Sequence, residues 1–257
     1  MEIISSASNP LIKKVRALHN KKARVDSKTF LVEGIYHVGE VIQSDWDVEL
    51  ILYSPELLVS KFAQDLLKKI KHIKLQPVSA NVIKTLTEKE NPQGIVAVVK
   101  QKELAFEDLG NFNRIVALVA PQDPGNVGSI LRTLDAIQAD ALFLLNGGVE
   151  LYHPSLVRAS MGALFWKPVI QTSFQRFVEW ARRKHIQLIG SSAKADTDYR
   201  KFTPSASWAL VLGNEQKGLT AEEIHACDIT LFIPMQGRVS SLNLSVAAAV
   251  LLYQLMK

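Results

Sequence analysis

Apolar positions recur along this chain with two spacings, and their alternation predicts an α/β protein. Near the start, Leu11, Ile12, Val15 and Leu18 fall at helical spacing within NPLIKKVRALHNKKAR, with the cations mostly elsewhere around the helix. Asn9 can cap that helix and Pro10 suits its first turn. TFLVEG then predicts a short strand ending at Gly34, YHVGEVIQSD a helix and VELILYS a strand. ELLVSKFAQDLLKKI predicts a helix, HIKLQPVS a strand, ANVIKTLTEK a short helix and QGIVAVVKQ a β-rich strand. These segments make one compact α/β domain over residues 1–98.

KELAFEDLGNFN is more polar and lacks a long periodic stretch, so a linker is expected over residues 99–112. The second domain, residues 113–257, opens with RIVALVAPQDPGNVGSILRTLDAIQADALFLLNGG. That is strand, Pro/Gly turn, helix, strand, a βαβ unit whose first strand is apolar almost throughout. VRASMGALFWKPVI, helix FQRFVEWARRK, strands IQLIGSS and WALVLG, loop NEQKG, helix LTAEEIHAC, strand ITLFIP and a final loop and helix follow. A mostly parallel sheet with helices on both faces is the expectation.

Composition narrows the class. With 47% hydrophobic and 21% charged residues, the 257-residue chain is not a disordered one and can bury a real core. The one cysteine, Cys227, forms no internal disulfide and suggests no zinc cluster, so a reducing compartment fits. No apolar run reaches membrane-spanning length and the N-terminus lacks a secretory apolar core, which points to the cytoplasm. The net charge of +5 is concentrated near the N-terminus. There Lys13, Lys14, Arg16, Lys21, Lys22, Arg24 and Lys28 face a single acid, Asp26, a patch suited to a polyanion if it is more than a solvated helix face.

Candidate chemistry lies in the second domain. Open α/β sheets hold ligands beyond the carboxyl ends of their strands. Three loops there, Asp123 to Ser129, Gly213 to Gly218 and Gln236 to Asn243, are rich in glycine and small polar residues. Neither the phosphate-loop lysine arrangement nor the dinucleotide GxGxxG occurs, which disfavours an ATPase or a nicotinamide enzyme and favours a cofactor without a polyphosphate. Arg132, on the helix NVGSILRTLDAI, can reach a phosphate or a developing negative charge, or simply pair with Asp135 or Asp140. In that helix Val127, Ile130, Leu131 and Leu134 form the expected buried side, and Asn126, Ser129, Arg132 and Thr133 the polar part. Glu215 can orient a partner or cap the following helix, and Ser241 and Asn243 can cap or bridge loops. His37, His72, His153, His185 and His225 are isolated, with no Ser/His/Asp triad and no metal-spaced cluster, so metal-free chemistry is expected.

These three loops resemble the SpoU/TrmH family of RNA 2'-O-ribose methyltransferases, a branch of the knotted SPOUT class. DPGNVGSILRTLDA, LVLGNEQKGL and IPMQGRVSSLNLSVAAAVLLY match the family's three motifs in order and spacing, with VRASMGALF between the first two. SNPLIKKVRALHNKK and FLVEG are similar to the family's substrate-binding domain, whose fold is like that of ribosomal protein L30e. The resemblance implies a C-terminal trefoil-knotted methyltransferase domain, a smaller N-terminal L30e-like α/β domain, S-adenosylmethionine as cofactor and a homodimer. It implies a catalytic group of Asn126, Arg132, Glu215, Ser241 and Asn243. It also implies cofactor contacts at Gly213, Asn214, Gly218, Ile233, Met235 and Leu242. Lys13, Lys14, Arg16, Lys21, Lys22 and Arg24 are the expected RNA contacts.

The expected reaction is methylation of structured RNA, with 23S ribosomal RNA favoured over tRNA. The resemblance implies Arg132 as the activator of the hydroxyl. A guanidinium holds its proton to above pH ~12 and is a poor base. Arg132 is therefore expected to hold the phosphate and hydroxyl while the proton leaves through phosphate, water or a transiently altered arginine. The alternatives are a noncatalytic RNA-binding protein that kept the fold, a base-methylating SPOUT enzyme and a small-molecule enzyme. Deleting residues 1–95 is expected to weaken RNA binding and spare cofactor binding.

Overall fold

The computed structural model describes residues 2–70, 72–88, 90–104, 106 and 110–257. The chain divides into two compact units. One is Met1–Lys102 with Tyr152–Phe165, the other Glu103–Leu151 with Trp166–Lys257. No helix among the described residues is long and apolar enough to cross a membrane.

In the first unit, helix α1 (Pro10–Ala17) starts as its sequence dictates. Asn9 Oδ1 accepts the Leu11 N–H at 2.9 Å, and proline occupies the first turn, where its missing N–H costs nothing. The helix does not continue to Arg24. It closes with the Leu18 N–H on the Val15 carbonyl and the Asn20 N–H on the Ala17 carbonyl, and a second helix, α2 (Lys21–Ser27), follows. Arg24 holds that break. One guanidinium nitrogen donates to the Leu18 carbonyl at 2.6 Å and the His19 carbonyl at 2.8 Å, groups left over where α1 ends. At 2% exposure, Arg24 is a buried structural cation and not the RNA contact its place in the basic run suggested.

Strands β1 (Thr29–Glu33), β2 (Val48–Tyr53), β3 (Lys74–Pro77) and β4 (Ile95–Lys100) form a sheet in the order β1-β4-β2-β3. β4 runs antiparallel to β1 and β2, and β3 parallel to β2. Helices α3 (Ile35–Gln43), α4 (Lys61–Lys69) and α5 (Ala80–Thr85) connect them. α4 starts later than the apolar pattern suggested, because Ser60 caps it by accepting the Ala63 N–H at 3.2 Å. Leu31, Leu52, Val82, Ile83 and Val96 share one core with Ile12 and Val15 of α1.

The same unit includes residues that the sequence reading assigned to the second domain. Helix α7 (Pro154–Ala159) and a 3-10 turn, Ala163–Phe165, belong to it. The Tyr152 hydroxyl accepts the Lys102 N–H at 2.9 Å and donates to the Lys102 carbonyl, and the Trp46 indole N–H donates to the Phe165 carbonyl at 3.1 Å. Phe30 lies 4.6 Å from Tyr152 and 5.8 Å from Trp46, ring centre to ring centre. Phe30 alternates with Leu31 along β1, so the strand is buried on both faces. Of the expected linker 99–112, residues 99–102 are likewise built into this unit, and residues 105 and 107–109 lie outside the described residues.

In the second unit, strands β5 (Arg114–Val119), β6 (Ala141–Leu145), β7 (Val169–Thr172), β8 (Gln187–Ser191), β9 (Thr197–Asp198), β10 (Trp208–Leu212) and β11 (Ile229–Phe232) are all parallel. Their order is β7-β6-β5-β10-β8-β11-β9. Helices α6 (Pro124–Ala136), α8 (Phe174–Arg183), α9 (Ala221–Ala226) and α10 (Leu244–Leu255) complete the unit. The central strands β5, β6 and β10 are apolar because both their faces are covered. From β5 the chain moves outward through β6 and β7, then crosses to β8. The strand order therefore reverses between β5 and β10, where a ligand crevice is expected.

Candidate active site

Because the sheet is wholly parallel, the loops after β5, β10 and β11 leave one edge. In the first loop, Ala120 takes a left-handed conformation (φ 43°), a strained choice for a residue with a side chain. Its carbonyl is fixed by two side-chain amides, Asn214 Nδ2 at 2.9 Å and Gln122 Nε2 at 3.0 Å. Asp123 then caps α6, its Oδ1 accepting the N–H groups of Gly125 at 2.6 Å and Asn126 at 3.4 Å.

The second loop folds on itself at two glycines. A Cβ on Gly213 would lie 2.1 Å from the Gly218 carbonyl carbon and 2.3 Å from the Leu219 nitrogen, so only glycine allows this approach. Gly218 supplies a φ of 67°, and its N–H donates to the Asn214 carbonyl at 2.8 Å. Asn214 Oδ1 accepts the N–H groups of Gln216 at 2.9 Å and Lys217 at 3.2 Å, closing an Asx turn.

Glu215 projects from that turn onto the first loop. Its Oε2 accepts the Gln122 N–H at 2.9 Å, and its Oε1 accepts the Asp123 N–H at 3.1 Å and Asn126 Nδ2 at 3.3 Å. A carboxylate at the start of α6 is also favoured by the helix dipole. Glu215 is not the cap of α9, since Thr220 and Glu223 form a reciprocal capping box there.

The third loop joins through Asn243, the cap of α10. Its Oδ1 accepts the Ser245 N–H at 2.9 Å and the Ser245 hydroxyl at 2.7 Å, while its Nδ2 donates to Asn126 Oδ1 at 2.9 Å. The chain has one direction. Glu215 can only accept, so Asn126 turns its nitrogen to Glu215 and its oxygen to Asn243. Asn126, expected on the polar part of α6, is instead 8% exposed, on a helix that packs against α10. Val127, Ile130, Leu131 and Leu134 are fully buried, as their spacing predicts.

Arg132 is exposed two turns into α6 and has no ion pair among the described residues. Neither expected acid takes it. Asp135 lies 3.6 Å from Lys167, and Asp140 accepts the N–H groups of Asn113 and Arg114. Ser241 is exposed, and no hydrogen bond joins it to the Glu215–Asn126–Asn243 chain. Ile233, Met235 and Leu242 are half-buried on the third loop, whereas the Asn214 side chain is committed to its own turn and to Ala120. Lys13, Lys14, Arg16, Lys21 and Lys22 are exposed in the first unit. Ala120, Asp123 and Ser245 also build the site. Asp before Pro at a helix start signals the capping role of Asp123, but nothing in the sequence marks Ala120.

No trio of His, Cys, Asp or Glu among the described residues could hold a metal. Burial, helped by Asp228, pushes the Cys227 thiol up to about 12, which disfavours its thiolate at neutral pH.

The SpoU rRNA Methylase family model matches residues 113–253, and the MRM3-like substrate binding domain matches residues 9–97. The chain is 33% identical to the 23S rRNA (guanosine(2553)-2'-O)-methyltransferase RlmP of Bacillus subtilis, over 99% of both chains. It is 32% identical to the 23S rRNA (uridine(2479)-2'-O)-methyltransferase of Streptomyces viridochromogenes, covering 92% of this chain and 85% of the other. Among solved structures it resembles the AdoMet-bound rRNA methyltransferase of Sinorhizobium meliloti, with a TM-score of 0.89 and 30% identity over 98% of this chain and 96% of the other.

Proposed function

The chain belongs to the SpoU rRNA methylase family, and on that premise we propose that it methylates a ribose 2'-hydroxyl of large-subunit ribosomal RNA, using S-adenosylmethionine. The observation that carries this reading is the hydrogen-bonded chain Glu215–Asn126–Asn243, which ties together the three loops that bear the family's motifs. The full-length relatives named as 23S ribosomal RNA 2'-O-methyltransferases support the substrate class.

The loops suit the cofactor. Ile233, Met235 and Leu242 offer half-buried apolar surface for an adenine ring, and Gly213 lets the second loop close tightly against its own Gly218–Leu219 backbone. The cofactor carries no phosphate, in keeping with the missing phosphate-loop motif. When bound, it supplies a methyl group on a positively charged sulfur. The protein supplies alignment and exclusion of water.

The Glu215 carboxylate accepts three N–H groups from the first loop, which suits it to orienting that loop. Arg132 holds the RNA phosphate and orients the hydroxyl, a role supported by its having no ion pair among the described residues. The hydroxyl proton leaves through that phosphate or water. Ser241, exposed beside Asn243, contacts the ribose.

Four finer features belong to the same proposal: a trefoil knot at the C-terminus, an L30e-like first unit, a homodimer and a cytoplasmic location. The packing of α10 against α6, β10 and the turn Tyr199–Lys201 supports the knot. Val246 and Tyr253, 48% and 59% exposed and one heptad apart on α10, support a dimer surface there.

Mapping 2'-O-methyl groups across ribosomal RNA from cells with and without the gene tests the function. One large-subunit position should lose its methyl group without the gene and regain it on incubation with purified protein and cofactor. An unchanged ribosomal map, or a lost mark on tRNA alone, overturns the substrate.

A further inference from the structure

The loops that build the site carry two cations with no task in the chemistry above. Among residues 120–123, 213–220 and 233–243, only Lys217 and Arg238 are basic. Both are exposed. Among the described residues the unit's ion pairs are Lys167–Asp135, Arg182–Asp228 and Arg200–Asp198.

The acids of the same loops are engaged. Asp123 Oδ1 accepts two helix N–H groups, and the Glu215 carboxylate accepts three donors. Their charge is turned onto peptide and amide dipoles, whereas the two cations face solvent. Lys217 is held beside Glu215, since its own N–H donates to Asn214 Oδ1 within the turn closed by Gly213 and Gly218. Arg238 lies in the loop that ends at Asn243, whose side chain reaches Asn126. The second and third loops are thus both tied to Asn126, and each presents one cation with no ion pair among the described residues.

We propose that Lys217 and Arg238 bind two backbone phosphates of the RNA at the target nucleotide, one from each loop, and so set the KM for RNA. The proposal rests on the RNA methyltransferase reading. Cations on site-building loops act at the phosphates that fix which ribose meets the cofactor. The guanidinium can grip a phosphate in two-pronged fashion, and the ammonium acts as a point charge.

The test uses full-length protein and in vitro transcribed 23S ribosomal RNA. Binding is measured across a salt series, and methylation across an RNA series, for wild type, Lys217→Gln, Arg238→Gln and the double variant. Each single variant should flatten the slope of log affinity against log salt by about 0.7 to 0.9, one counterion released per phosphate contact. KM for RNA should rise far more than kcat falls, and Arg238→Lys should recover part of the loss. The calorimetric affinity for S-adenosylmethionine separates these effects from misfolding and should stay within about twofold, since no cofactor contact is removed. An unchanged salt slope and KM in the double variant overturns the proposal, as does a fall in kcat alone. A wild type that binds RNA without methylating it overturns the enzymatic reading, while the salt slopes still decide the phosphate contacts.

Discussion

Asn243 Nδ2 donates to Asn126 Oδ1 at 2.9 Å, joining two residues separated by 117 positions in the chain. Each asparagine also sits in the first turn or cap of a helix, Asn126 in α6 and Asn243 before α10. The bond therefore locks two helix starts together, and Glu215 adds the turn after β10. The three loops are tied into one wall by these two side-chain hydrogen bonds.

Asn126→Asp should break this wall more severely than Asn126→Ala. Aspartate loses the donor to Glu215 and sets a second carboxylate against it, at a position that is only 8% exposed. Each lost or frustrated buried hydrogen bond costs about 1–3 kcal/mol. Methylation by Asn126→Asp should fall at least about tenfold, one decade for ~1.4 kcal/mol, with lower stability in urea. Wild-type turnover in Asn126→Asp would contradict a fixed amide orientation.

Gly213→Ala should weaken cofactor binding. The added methyl meets backbone atoms of Gly218 and Leu219, which no side-chain rotation relieves. Overpacking of this kind costs about 1–3 kcal/mol. Calorimetry with S-adenosylmethionine should show that loss, whereas Gly110→Ala, which meets nothing within 4 Å, should bind normally.

The strand and helix pattern was legible because burial follows period. β5, β6 and β10 are apolar runs covered on both faces, and α6 buries the four residues its spacing selects. What the pattern could not show is where a segment packs. Tyr152 and Phe165 lie between two segments of the parallel sheet in sequence, yet they pack with Phe30 and Trp46. β9, two residues long, has no period to read. At the site, the three loops could be picked out by composition. The left-handed Ala120 and the burial of Asn126 arise from contacts between loops, which spacing within one helix cannot encode.

The Tyr152 hydroxyl replaces a backbone partner for Lys102, so Tyr152→Phe should destabilise the first unit. Two hydrogen bonds are lost, at about 0.5–1.5 kcal/mol each. Trp46 fluorescence, reporting on a ring bonded to the Phe165 carbonyl, should show the earlier unfolding. The same packing revises the expected effect of deleting residues 1–95. That deletion strips the partners from Tyr152 and Phe165, so it should yield insoluble protein instead of a clean cofactor-binding fragment.

Cys227 should resist alkylation at pH 8 in the native protein and react once urea unfolds it. Burial holds the folded thiol at about 12, against an ordinary value of 9.0. The sign follows directly. The unfolded chain deprotonates first, so this thiol leaves stability untouched below pH 9 and lowers it as pH rises from 9 towards 12. Cys227→Ser should flatten the alkaline limb of a stability–pH curve. Rapid native labelling at pH 8 would contradict the burial.

Arg24 and Lys13 stand in one basic run, yet their substitutions should act on different quantities. Lys13 is exposed, so Lys13→Ala should leave unfolding unchanged and lower the salt slope of RNA binding by about 0.7–0.9. Arg24 is buried and holds the carbonyls of Leu18 and His19, so Arg24→Met removes hydrogen bonds to a charged donor worth about 1.5–3 kcal/mol each. Its urea midpoint should drop, and at low urea its salt slope should match that of wild type. Equal salt slopes for Arg24→Met and Lys13→Ala, with no change in stability, would return Arg24 to the RNA face.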